Sequence, residues 1–192
     1  MNNTYFLLRH GQTPYQVEKE RIIYPWPEPS PILLTKKGEE EVSESAKKLK
    51  KEKIDLIFSS DISRTRQTAG IVGQELGIEV VFDIRLRDIN LGIYKGRSSE
   101  EYWQSFSNQK EVLSKRPSQG ESWRDVQKRL MEFLEEIDER YIDKRILIVS
   151  HQGTLWFLEG TVKGLNDNDL ILGLKGKGLP TGQFRELKIY GS

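Results

Sequence analysis

Short apolar runs alternate with amphipathic stretches along this chain, and no other feature constrains its fold as much. Thr4–Leu8 (TYFLL), Ile54–Ser60 (IDLIFSS), Ile78–Phe82 (IEVVF) and Arg145–Ser150 (RILIVS) read as strands. Glu39 to Lys53 carries Val42, Ala46 and Leu49 at helical spacing, and Arg64 to Leu76 reads as a helix stopped by Gly77. Glu100 to Leu113 and Thr154 to Lys163 are further helical stretches, and Gln183 to Tyr190 is a last strand. The strongest helix opens at Ser122. Ser122 and Asp125 form a capping-box pattern, and Trp123, Val126, Leu130, Phe133, Leu134, Ile137 and Tyr141 follow at spacings of three and four. A strand as uniformly apolar as RILIVS needs cover on both faces. The expected fold class is therefore α/β: a three-layer α/β/α sandwich with a mostly parallel central sheet, formed as a single domain over 1–192. A chain of 192 residues suffices for one such domain and hardly for two.

Composition removes several classes of function. Lys and Arg number 30 and Asp and Glu 29, so the net charge is +1, without the basic excess expected of a general nucleic-acid binder. No apolar run approaches the roughly 20 residues of a membrane span. The opening MNNTYFLLRHG lacks a basic segment ahead of an apolar one, so no secretory leader is expected and a cytoplasmic location is. With Cys at 0, disulfides, zinc–thiolate sites and cysteine nucleophiles are excluded. With His at 2, almost nothing is left for a histidine metal site, and neither metal nor cofactor is expected.

Both histidines fall in the same kind of place. His10 follows the first strand and precedes Gly11; His151 follows RILIVS and stands two residues before Gly153. Ligands of open α/β sheets bind beyond the carboxyl ends of strands, so the two project towards one site. Arg9 adjoins His10, and Arg64 opens the helix after IDLIFSS, where a helix N-terminus also favours anions. Two Arg and two His without an acidic metal cluster suggest a phosphate pocket, with the Arg forks on phosphoryl oxygens. Two loops stand out as lid or binding segments. Pro14 to Leu34 holds five prolines with Tyr15, Tyr24 and Trp26 among them, and Lys115 to Glu121 holds Pro117 and Gly120. Tyr102, Trp103 and Phe106 are further aromatic residues that, if exposed, would suit a leaving group of apolar or ring character. Lys115-Arg116 is either a contact for a substrate carboxylate or simply a solvated pair.

In these residues the chain resembles the histidine phosphatase superfamily, the phosphoglycerate-mutase-like proteins of branch 1. LLRHGQT (Leu7–Thr13) is similar to its signature, and SSDISRTRQTA to its second block, with Arg64 at the phosphate-binding position. LRDINLGIYKG (Leu86–Gly96), GES (Gly120–Ser122) and VSHQGT (Val149–Thr154) resemble the later blocks, in family order and nearly spanning the chain. The resemblance implies that His10 is a nucleophile that becomes phosphohistidine and that Arg9, Arg64 and His151 hold the phosphoryl group. It implies too that the third-block carboxylate protonates the leaving oxygen and then activates water. That carboxylate is Asp88 here, where the family usually has Glu; the alternatives are a structural partner for Arg85 or Arg87, with Glu121 as the acid. Gln16 stands where an Asn is usual, and Gln152 follows His151, so the His-Asp pair of the acid-phosphatase branch is absent. Both Gln residues are candidate substrate contacts. The segment RIIYPWPEPSP replaces a Gly-containing one, and Arg97, Ser98 and Ser99 follow Gly96 where mutases carry a Lys. The implied function is a metal-independent phosphatase acting on a small-molecule phosphate ester. The alternatives are a cofactor-dependent phosphoglycerate mutase and a phosphate-binding pseudoenzyme.

Overall fold

The computed structural model describes residues 1–18, 21–174 and 178–188. In chain order the elements are β1 (Thr4–Arg9), α1 (Pro14–Val17), α2 (Lys36–Leu49), β2 (Leu56–Ser59), α3 (Ser63–Leu76) and β3 (Val80–Phe82). There follow α4 (Ser99–Gln104), α5 (Gln109–Ser114), α6 (Trp123–Arg140), β4 (Arg145–Ser150), α7 (Gln152–Val162), α8 (Asp167–Leu174) and β5 (Phe184–Glu186). The strands form one sheet in the order β3-β2-β4-β1-β5, parallel except for β5 at its edge.

Side-chain alternation along the strands builds two cores. Tyr5, Leu7, Phe58, Ile146 and Ile148 pack with Val126, Leu130 and Phe133 of α6 and Leu155, Phe157 and Leu158 of α7. Phe6, Leu8, Ile57, Leu147 and Val149 face the other way, onto Val42, Ala46 and Leu49 of α2 and Ala69 and Val72 of α3. The architecture is the expected α/β/α sandwich. Helix ends follow their chemistry: Ser122 accepts from the Asp125 N–H while Asp125 accepts from the Ser122 N–H, and α3 stops at Gly77 with φ +70°.

The sheet register creates the site. β1 and β4 are neighbours, with Arg9 opposite Ser150, so His10 and His151 leave the sheet side by side. From there β1 feeds α2 on one face and β4 feeds α7 on the other. Diverging exits open a crevice between the strand ends, the topological switch point of such sheets. Gly11 sits where the departing loop presses on α2. A Cβ there would lie 2.5 Å from the Gly38 carbonyl oxygen, and one on Gly38 2.2 Å from that of Gln12. Two side-chain-free residues let the histidine loop lie directly on the helix.

The structure redraws some elements. The helix expected over Glu100 to Leu113 is two, because Asn108 accepts from the N–H groups of Lys110 and Glu111 and caps a new start. α1 and α8 were not expected, and β5 is shorter than Gln183 to Tyr190, whose last two residues lie outside the described ones. Among the described residues no helix is long and apolar enough to cross a membrane.

Candidate active site

His10 is 2% exposed, and His151 and Arg64 are 1% exposed. The two imidazole centroids are 5.5 Å apart. His10 Nδ1 lies 2.8 Å from the Gly11 carbonyl oxygen. A carbonyl only accepts, so the hydrogen-bond network places the proton on Nδ1 and leaves Nε2 with a free lone pair. His151 Nε2 lies 3.0 Å from Ser60 Oγ, which itself accepts from the Ile62 N–H. The Ser60 proton is then free for Nε2, and the His151 proton sits on Nδ1, 3.8 Å from Asp88 Oδ2.

Burial holds both histidines well below the ordinary pKa, with the Arg64 charge the next cause for each. Arg9 adds to the effect on His10, and His10 itself to that on His151. The imidazoles are therefore neutral at neutral pH, as a nitrogen nucleophile must be. A depressed folded-state pKa also sets a sign for stability. Below about pH 6.5 the unfolded chain binds protons that the folded one refuses, so the histidine contribution is present above that pH and lost as pH falls. Between about pH 7 and pH 5 the thermal midpoint of His10→Gln is expected to fall less than that of the parent protein. Equal slopes in a thermal-denaturation series would contradict the buried neutral state.

Both arginines are held through their terminal nitrogens. Arg64 Nη1 donates to Glu28 Oε1 at 2.9 Å, its guanidinium lies 3.8 Å from the Tyr24 ring centroid, and Nη2 is 3.5 Å from Asp88 Oδ2. Arg9 Nη1 donates to the Leu179 carbonyl at 3.0 Å. Arg9 Nε, Arg64 Nε and His151 Nδ1 are buried without a hydrogen-bond partner. An unsatisfied buried donor costs about 1–3 kcal/mol. Three such donors on the residues around His10 are accounted for by an anion with several oxygens.

Asp88 lies at the border between these donors and a cavity of about 490 Å³, which it lines with Arg64, Tyr24, Trp26 and Arg87. Its Oδ1 accepts from the Ile89 N–H at 3.0 Å, and Thr154 Oγ1 is 3.5 Å away. Neither Arg85 nor Arg87, its neighbours in sequence, pairs with it. Arg85 pairs with Asp83 and Glu136, and Arg87 with Asp61. Glu121 is bound by Arg129 and the Asn90 N–H.

His10, Arg9, Arg64, His151 and Asp88 thus come together, while the two glutamines do not join them equally. Gln16 is the capping-box residue of α1: it accepts from the Thr13 N–H at 2.8 Å and donates to Tyr24 Oη at 2.7 Å. It supports the ring that covers Arg64. Gln152 opens α7 and lines a smaller recess beside Asp88. Tyr15 stacks on Tyr24 and Trp26 lies against Arg87, whereas Tyr102 is buried against Trp103 and Phe106. Lys115 pairs with Glu111, and Arg116 with Asp125. Glu28 is the participant that sequence reading missed. Its signal was a lone carboxylate between prolines and aromatics in the long loop, but nothing in that spacing names Arg64 as its partner.

Residues 5–171 match the model of the histidine phosphatase superfamily (branch 1). A curated Escherichia coli relative named probable phosphoglycerate mutase GpmB is 34% identical over 165 residues, 83% of this chain and 74% of that one. Bacillus stearothermophilus YhfR superposes with a TM-score of 0.74 at 29% identity, over 88% of this chain and 83% of its own. A mycobacterial glucosyl-3-phosphoglycerate phosphatase shares the fold at TM-score 0.81 and 24% identity, over 96% and 90%. With the family model covering both histidines, Arg9, Arg64 and Asp88, the chain belongs to branch 1 of the histidine phosphatase superfamily.

Proposed function

We propose that the protein is a metal-independent phosphomonoesterase for a small-molecule phosphate ester, working through phosphohistidine on His10. The observation that carries this reading is the set of three orphan donors, on Arg9, Arg64 and His151, around an unprotonated His10 Nε2. Nε2 attacks phosphorus while the bond to the leaving oxygen breaks, and the Asp88 carboxylic acid gives that oxygen its proton. The orphan N–H groups meet the phosphoryl oxygens, where charge is greatest in the transition state. In the second step the Asp88 carboxylate takes a proton from water as the water oxygen attacks phosphorus. The N–P bond breaks, releasing phosphate and restoring both His10 and the protonated Asp88. The positive charge comes from guanidinium groups and needs no metal for this role.

A mutase reading draws support from the curated relative's name. The two are separated by following p-nitrophenyl phosphate and 3-phosphoglycerate with EDTA present. Release of free phosphate, at a rate EDTA does not change, is the expected result. Formation of 2-phosphoglycerate would favour the mutase, and a rate restored only by added Mg²⁺ would contradict the mechanism. Phosphate binding without turnover of any ester would leave a binding protein.

A further inference from the structure

Every arginine that lines the cavity already has a carboxylate of its own. Arg64 has Glu28 at 2.9 Å. Arg87 has Asp61, with Nε and Nη2 each 2.6 Å from one carboxylate oxygen. Arg129 has Glu121, with Nε at 3.0 Å and Nη2 at 3.4 Å, and also donates to the Arg85 carbonyl. Arg87 is further covered by Trp26, 4.8 Å from its guanidinium. The rest of the wall is largely apolar, with Ile23, Tyr24, Trp26, Ile62, Ile89 and Leu91 prominent. A recess of about 190 Å³ continues past Ile23, Ile89 and Leu91 towards Trp103 and Trp156. Among the described residues, the buried unpartnered donors of Arg9, Arg64 and His151 sit at the histidine end, whereas the one on the recess, Trp123 Nε1, is uncharged.

We infer that the cleft selects phosphate esters whose leaving group is uncharged and ring-bearing, and that Asp61 enforces this by masking Arg87. The inference rests on the phosphomonoesterase reading and narrows it. A carboxylate or second phosphate on the leaving group would have to break a bidentate ion pair or lie desolvated near Glu121 and Asp88, where the described residues offer no unpaired cation. A flat apolar ring would instead displace water from aromatic and branched side chains, in a cavity large enough for one or two rings. The phosphoryl group is then the one anionic feature recognised.

Non-hydrolysable phosphonates test this by calorimetry, without reliance on turnover. Benzylphosphonate is expected to bind at least about tenfold more tightly than 3-phosphonopropionate, which replaces the ring by a carboxylate. Asp61→Asn keeps an acceptor for Arg87 but removes the masking charge. It should narrow that preference by about tenfold through tighter binding of 3-phosphonopropionate, with benzylphosphonate changed less than about twofold. Arg87→Gln leaves Asp61 uncompensated and should widen the preference instead. Equal binding of the two ligands, no binding of benzylphosphonate, or a preference indifferent to both substitutions overturns the inference. Hydrolysis of p-nitrophenyl phosphate reports separately on the phosphatase reading, so the two failures are distinguishable.

Discussion

Replacing His10 by alanine is expected to cut turnover by roughly 10⁴–10⁶-fold, the scale seen when a covalent nucleophile is removed. Phosphohistidine is stable in base and labile in acid, the reverse of a phosphoserine ester. Rapid quenching of the parent enzyme in base should therefore retain labelled phosphate on His10, and His10→Ala should show none. The site holds a competing hydroxyl: Ser60 Oγ is 3.0 Å from His151 Nε2, close enough to be activated by it. The geometry nevertheless favours His10. Ser60 Oγ is already engaged by the Ile62 N–H and His151 Nε2, whereas His10 Nδ1 is committed to the Gly11 carbonyl and its Nε2 is free. Acid-stable label on Ser60, surviving in His10→Ala, would sink the assignment. The substitution should leave the fold intact, since the strands that present His10 and Ser60 are held by the sheet and its two cores.

Asp88→Asn is expected to slow the first chemical step by about 10²–10⁴-fold for an alkyl phosphate, and far less for p-nitrophenyl phosphate. An alkoxide must be protonated as the P–O bond breaks; p-nitrophenolate leaves unaided. Asparagine keeps the size of the side chain and an oxygen for the Ile89 N–H, so the pocket is retained while the proton is lost. The single-turnover burst is the right observable, because the variant also lacks the base for hydrolysing phosphohistidine and stalls in steady state with either substrate. A burst slowed equally for both leaving groups would mean that Asp88 only spaces Arg64 and His151. Glu28, the carboxylate on Arg64 Nη1, would then become the acid to test, ahead of Glu121, which Arg129 and the Asn90 N–H already hold.

The reach of sequence reading here follows from the range of the interactions involved. The unbroken apolar runs Tyr5–Leu8 and Ile146–Val149 are a local property of strands covered on both faces, so the layered fold was legible from them. The Ser122 cap and the Gly77 stop are equally local. The break between α4 and α5 was local too, yet the surrounding helical residues outweighed the single capping Asn108. Of the candidate site residues, those at strand ends and at the start of α3 were placed by their elements, because parallel strands align their carboxyl ends. Gln16 was not, because its partners Thr13 and Tyr24 depend on how the loop folds back.

By itself the sequence determined which residues stand at the carboxyl edge of the sheet: Arg9 at the end of β1 and His10 just after it, Arg64 at the head of α3, His151 after β4. Each position depends on contacts within one element and its cap. Only the tertiary structure decided what each charge there is worth. Asp88 keeps only a 3.5 Å contact with Arg64 because Arg85 and Arg87 turn to Asp83, Glu136 and Asp61, and Arg64 is held more closely by Glu28 from a loop 36 residues earlier. The pairing of charges in a desolvated cleft is set by distance and burial, and neither is a property of spacing along the chain.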